Sequence, residues 1–243
     1  TGDIWGYKLK RNAKGEVIIT SAGLPARPSE IEYVACALPD WEGAFNTSLR
    51  FKNWSFSMQW DGKVGGMTYS QSHHKMCEQG HLAETLNGRK PGTSLYLDIA
   101  DPDVLKLFEK QKITPVAGVY CIAPGVVDNG DGTYSPNQKL VTLESYYKEY
   151  YRIGNVETNT FSTTYLKLRE VRLDYQLPKS WLKNTFINNA SVGIYGRNLL
   201  CITSYPMYDP ETTSLDGNTF VPGVEVGTLP TSRSWGVNLK VDF

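Results

Sequence analysis

All three histidines fall within nine residues of one another, with one of the four cysteines between them: His73, His74, Cys77 and His81. On a helix His73 and Cys77 would stand at i and i+4, with His81 one turn further, so one face could offer three metal ligands. The plainer reading is a polar loop helix with incidental histidines, and no metal or cofactor is expected. Asp128, Asn129 and Asp131, with glycines at 130 and 132, resemble half of a calcium loop. The closing glutamate is missing, because position 139 is Lys, so a turn is expected there. Asp40 and Glu42 flank Trp41 as glycosidase carboxylates flank a sugar site, yet nothing fixes their separation. There is no nucleophile elbow, P-loop or Ser/His/Asp ordering, and the chain is not expected to be an enzyme.

Lys plus Arg and Asp plus Glu balance at 25 each in 243 residues, which gives no signal for nucleic acid or a polybasic membrane surface. No apolar run approaches the ~18 residues of a membrane-spanning helix, and the start TGDIWGYKLK is not a signal peptide. Cys36, Cys77, Cys121 and Cys201 match no CxxC pattern and are read as free thiols, with one disulfide among the first three possible in an oxidising compartment.

The elements that would position these groups are strands. In 234–243, Trp235, Val237, Leu239, Val241 and Phe243 alternate with polar or small residues, a strict period of two. In 44–64, Phe45, Leu49 and Phe51, then Trp54, Phe56, Met58 and Trp60 after a turn at Lys52-Asn53, form the apolar side of a hairpin. Its other side carries Arg50, Gln59 and Asp61. In 163–176, Val171, Leu173 and Tyr175 oppose Glu170, Arg172 and Asp174, while Leu166 and Leu168 fall out of phase, which predicts a bulge near Arg169. In 189–202, Val192, Ile194, Leu200 and Ile202 oppose Ser191, Tyr195 and Arg197; Lys240 is on the polar side of the last strand. Between them lie 1–43, expected to be loop with two short strands around the turn Asn12–Gly15 and no core, and the long segments 65–162 and 203–233. Helices are expected over about 69–79, from Asp101 as N-cap with Pro102 first, and in the tyrosine-rich 144–153. The turns at Lys52-Asn53 and 177–188 are short. Five long strands with short turns at one end and long loops at the other predict an all-β, antiparallel transmembrane barrel segment. A secreted carbohydrate-binding β-sandwich and an outer-membrane surface adhesin are the alternatives.

Several linked motifs carry a family resemblance across nearly the whole chain. Lys167 to Pro178 (KLREVRLDYQLP), Gly196 to Leu200 (GRNLL), Tyr205 to Glu211 (YPMYDPE) and the closing SWGVNLKVDF resemble the end of SusC/RagA-family TonB-linked outer-membrane proteins. Upstream, TGDIWGYK, ALPDWEGAFNTSLRFKNWSFSMQWDGKVGG and the runs 69–92 and 134–151 are also similar. The resemblance implies part of a TonB-dependent nutrient importer of the Bacteroidetes type in the outer membrane of a Gram-negative bacterium. Its partners would be the remainder of the same barrel, ~22 strands in all, and the plug, TonB, a SusD-like lid lipoprotein, membrane lipid and a glycan or peptide substrate. The chain would supply about five C-terminal strands, since five strands cannot close a barrel. Under this reading 1–43, 65–162 and 203–233 are extracellular, 177–188 and the C-terminus are periplasmic, and 44–64, 163–202 and 234–243 cross the membrane. Arg50, Gln59, Asp61, Glu170, Arg172, Asp174, Arg197 and Lys240 would then face the lumen. Phe45, Leu49, Phe51, Trp54, Phe56, Met58, Trp60, Val171, Leu173, Tyr175, Val192, Ile194, Trp235, Val237, Leu239, Val241 and Phe243 would face lipid. Trp41, Tyr69, Tyr146, Tyr147, Tyr205 and Tyr208 are the candidates for substrate stacking.

Overall fold

The computed structural model describes residues 2–183, 185–216 and 219–243. The chain divides into two compact units. One gathers Ala37–Thr68, Ser162–Thr213 and Thr228–Phe243. Among the described residues it holds one antiparallel meander of five strands: β1 (Pro39–Phe51), β2 (Trp54–Gly65), β3 (Tyr165–Gln176), β4 (Asn189–Thr203) and β5 (Ser234–Asp242). Each strand pairs with its neighbours in sequence. Phe51 pairs with Trp54 across Lys52-Asn53, and Lys52 adopts a left-handed φ of 51° to close the hairpin.

Because side chains alternate along a strand and register aligns them across strands, the local patterns add into two coherent faces. One apolar row runs Leu49, Phe56, Leu173, Ile194, Val237, and the next runs Phe51, Trp54, Tyr175, Val192, Leu239. A polar row runs Asn46, Gln59, Glu170, Arg197, Ser234. The apolar rows are open to solvent, with Leu49 63% exposed, Ile194 59% and Val237 73%, while Phe56, Leu173 and Tyr175 are half-buried by their neighbours. Five strands ~4.8 Å apart and ~30 Å long present roughly 700 Å² of such surface. Soluble monomers rarely expose more than a few hundred Å² of contiguous apolar surface.

The out-of-phase leucines are resolved by one inserted residue. Pairing with β2 jumps from Leu168–Trp60 to Glu170–Gln59, leaving Arg169 as a bulge. The extra residue returns Leu166 and Leu168 to the apolar face, where they meet Ile202 and Leu200. On β4 the same irregularity is met by Asn198 at φ 52°. Two residues earlier on β4 an aromatic lies against glycine: a Cβ on Gly196 would sit 2.8 Å from ring atoms of Trp235 and 2.7 Å from Leu199 Cδ2. Gly196→Val is therefore expected to displace the indole and lower stability by about 1–3 kcal/mol. Thermal unfolding in detergent, read by tryptophan fluorescence, checks this.

The sequence reading placed the start of β1 too late. The strand begins at Pro39, and an irregularity between Pro39 and Trp41 keeps the ladder going, with Trp41 opposite Val64.

The other unit gathers Thr1–Cys36, Tyr69–Phe161 and Ser214–Gly227. It corrects the expectation that 1–43 is loop without a core. Asp3–Gly6 pairs with Glu32–Cys36, and Ile18–Ile19 runs parallel to Val126–Val127. The two short N-terminal strands thus take different partners, and the Asn12–Gly15 turn closes an isolated bridge between Arg11 and Val17. Ile19 is buried with Leu95, Cys121, Ala123, Val141, Leu143, Tyr146 and Tyr147. Among the described residues, three α-helices belong to this unit: α1 (Gln71–Glu78), α2 (Pro102–Gln111) and α3 (Leu143–Tyr150). Their starts follow capping chemistry. Ser70 accepts from the His73 amide, Asp101 from the Asp103 amide, and Thr142 from the Ser145 amide. Glu225 brings in the third segment, accepting from the Ser70 and Ser72 hydroxyls at 2.6 Å each at the start of α1.

Candidate functional site

In the sheet unit, the bulge aims side chains as well as correcting phase. Lys167 lies on the polar face of β3, and its Nζ donates to Asp209 Oδ1 at 2.6 Å and also to the Glu211 carboxylate. Arg169 forms a two-pronged pair with Asp61 at 2.6 and 2.7 Å and reaches Glu211 as well. The Tyr165 hydroxyl donates to Glu211 Oε1 at 2.7 Å. Asp209 also accepts from the Thr231 hydroxyl and the Glu211 amide. Lys167 and Asp209 are 4% and 3% exposed, so this is a buried ion cluster. It fastens the loop after β4 onto the polar face of β2 and β3. Burial of Asp209 acts to raise its pKa, but hydrogen bonds from Lys167 and Thr231 outweigh it and hold the carboxyl below its ordinary range. Glu211 is held low against burial in the same way, by Arg169, Lys167 and Tyr165.

All eight residues assigned to the lumenal side share the polar face by register, and the strand residues of the lipid set share the apolar one. Phe243 lies just beyond β5 and stacks on Phe186 at 5.5 Å. The polar face is laced by Arg172–Asp174 at 2.6 Å and Arg197–Glu170 at 2.8 Å. Near the hairpin turn, Arg50, Ser55, Arg172, Asp174, Asn238 and Lys240 line a concavity of about 400 Å³. Such a surface suits a wet wall holding polar groups in mixed-sign pairs.

The aromatic candidates separate. Tyr146 and Tyr147 are buried in the core beneath α3, and Tyr205 is buried too, so these three are corrected from stacking platforms to packing residues. The Tyr147 hydroxyl donates to the carbonyls of Glu84 and Asn87, which fixes it further. Trp41 is exposed, but it stands on β1 beside Gly43 on the apolar face, not in a loop. Tyr69 is half-buried and donates to the Ile153 carbonyl. Tyr208 is exposed.

The helix at 71–78 does bring His73 and Cys77 together, but the third member is Glu84, and His81 is exposed outside the group. His74 turns its Nδ1 to the Tyr151 carbonyl. In the acidic turn, Asp128 accepts from the Gly130 amide and Asp131 from Thr133, so both carboxylates are engaged in turn geometry. All four cysteines are free, and burial pushes the Cys121 thiol up to about 12, which suits an inert core residue.

Sequence reasoning gave no role to Lys167, Arg169, Asp209, Glu211 or Glu84. The signal for the first four was two basic residues at the phase break of β3 and two acids flanking Pro210. Their pairing needed the fold.

No protein-family model matches the chain. Over 212 residues, 84% of the chain, it is 23% identical to TonB-dependent receptor P3 of Formosa agariphila. Among solved structures, the RagAB peptide importer in its open-open state matches 100% of the chain with a TM-score of 0.53 at 14% identity. The closed-closed state of that importer matches 99% with a TM-score of 0.52 at 16% identity. At these identities the structural likeness speaks for the fold. The chain spans 16% of the curated relative and 23% of each of these structures. The chain is thus similar in sequence to part of a TonB-dependent receptor, and its five-stranded meander shares the fold of the matching stretch of the RagAB importer.

Proposed function

We propose that this chain forms part of the wall of a TonB-dependent outer-membrane importer, with the apolar face of β1–β5 against lipid and the polar face toward the lumen. One observation carries the reading: a continuous, uncovered apolar face backed by a polar face of paired charges. A soluble sandwich would cover the first with a second sheet, whereas a barrel turns it to lipid and keeps the second wet in the lumen. Strands of 9–15 residues, tilted as barrel strands are, match an apolar band ~25 Å tall. The outer strands β1 and β5 would pair with strands of the remaining barrel. The transported nutrient is of the oligopeptide or glycan class, under a SusD-like lid lipoprotein, with release driven through TonB. The likeness to a peptide importer supports the oligopeptide side of that pair.

Uptake assays test this. Cells carrying the intact transporter should take up labelled oligopeptides or oligosaccharides, and lose that uptake on deletion of this chain's strands or on collapse of the proton gradient. Recovery of the chain as a monodisperse soluble protein without detergent, and not in outer membranes, would overturn the reading.

A further inference from the structure

We propose that His73, Cys77 and Glu84 form a binding site for a divalent metal ion of the zinc type. His73 and Cys77 stand one turn apart on α1, and the one-turn helix Ala83–Leu86 carries Glu84 to them. Glu84 Oε1 lies 2.5 Å from His73 Nε2 and 2.9 Å from Cys77 Sγ, and Sγ lies 3.6 Å from Nε2. One nitrogen, one sulfur and one oxygen therefore converge on a single point. His73 and Cys77 are wholly buried, while the Glu84 side chain reaches solvent.

The surrounding hydrogen bonds decide how the imidazole is presented. The Asn159 side-chain NH₂ donates to the carbonyls of Tyr151 and Asn155, at 3.1 and 3.0 Å. Its oxygen is thereby the atom facing His73 Nδ1, at 3.1 Å. An amide oxygen only accepts, so Nδ1 carries hydrogen and Nε2 is turned to Glu84. Two acceptors cannot face each other at that distance unless a cation lies between them, and the cation is a proton or a metal. The Tyr151 hydroxyl holds the other oxygen of Glu84 at 3.2 Å. A ring nitrogen fixed by an amide and a carboxylate fixed by a phenol are the supports that metal ligands ordinarily have.

The exchange balances. Without the ion, one proton lies between Nε2 and the Glu84 carboxylate and one on Sγ, net zero. A divalent ion displaces both protons to solvent and forms bonds to nitrogen, sulfur and oxygen. Neutral imidazole, thiolate, carboxylate and the ion again sum to zero, so the buried site keeps its neutrality. A mixed N, S, O set selects zinc or cobalt over calcium or magnesium, which take oxygen ligands. Metal–ligand bonds of ~2.0–2.3 Å need ligand separations of roughly 3.2–3.7 Å. The sulfur–nitrogen edge has that length already, and Glu84, on a short turn at the surface, can open the other two. Water would complete the fourth position. The ion would clasp α1 to the turn that follows it.

Cobalt(II) titrated into the full-length transporter in detergent tests the site. The expected result is one thiolate-to-cobalt charge-transfer band per chain, displaced by zinc, lost in Cys77→Ser and retained in Cys36→Ser and Cys201→Ser. Glu84→Gln, at a solvent-reaching position that leaves the core intact, should weaken binding at least tenfold. Asn159→Ala should weaken it ~10–100-fold through the tautomer. Absence of the band, its persistence in Cys77→Ser, or unchanged affinity in Glu84→Gln overturns the proposal.

Discussion

Replacing Lys167 with methionine should destabilise the sheet unit by about 3–5 kcal/mol, the cost of breaking a buried pair from one side. The substitution nearly preserves the length of the side chain but leaves Asp209, 3% exposed, with its charge uncompensated. Water cannot reach that carboxylate, and the Thr231 hydroxyl and Glu211 amide that remain are neutral donors. Asp209→Asn added to Lys167→Met should recover part of the loss, because no charge is then stranded, and the coupling should be about 0.5–3 kcal/mol, the usual range for residues in one network. The midpoint of heat-induced unfolding in detergent, followed by gel mobility of the folded form, reads both. Equal midpoints for Lys167→Met and wild type would show that the cluster carries no stability. The cluster also sets a pH response. Asp209 and Glu211 are held below their ordinary pKa in the fold, so their contribution is present above the unfolded carboxylate range. It is lost as pH falls through the folded values. The unfolding midpoint should therefore drop on acidification, less steeply in Asp209→Asn.

Met58→Arg should block assembly, while Gln59→Arg should be tolerated. The two positions are adjacent on β2 and differ in face alone. Met58 sits in the row Thr47, Met58, Val171, Gly196, Trp235, and Gln59 in the row with Glu170 and Arg197. Arginine on the lipid side near the bilayer midplane costs ~2–4 kcal/mol. That is roughly a 30- to 900-fold shift in the folded ratio. On the wet side the same group meets water and Glu170. Folded yield in outer membranes is the measurement, and equal yields for the two variants would refute the assignment of faces.

Alternation has a period of two residues, so facing is written into each strand before any partner is known. That is why SWGVNLKVDF and the Phe45–Trp60 hairpin could be read from sequence, and why register then brought the rows of both faces into line across five strands. Caps are equally local: Asp101-Pro102 announces α2 because its hydrogen bond spans two residues. Even the phase break at Leu166 and Leu168 was visible, although its consequence was not. Arg169 became meaningful when Asp61 and Glu211, 108 and 42 residues away, came to meet it.

The composition of α3 shows the opposite limit. Tyr146 and Tyr147 have the look of binding aromatics, but Ile19, Leu95 and Cys121, drawn from distant parts of the chain, cover them. The stretch 1–36 read as loop because its strands are two to five residues long and each pairs with a remote partner or across a wide turn. Glu84 joined His73 and Cys77 through a turn no periodicity signals, and His81, one helical turn too far along, was left outside because α1 ends at Glu78. Local backbone geometry thus determined which face of each strand is apolar. Burial of a side chain, and the company a charge keeps, depend on contacts between residues far apart in sequence, and those existed only once the chain had folded.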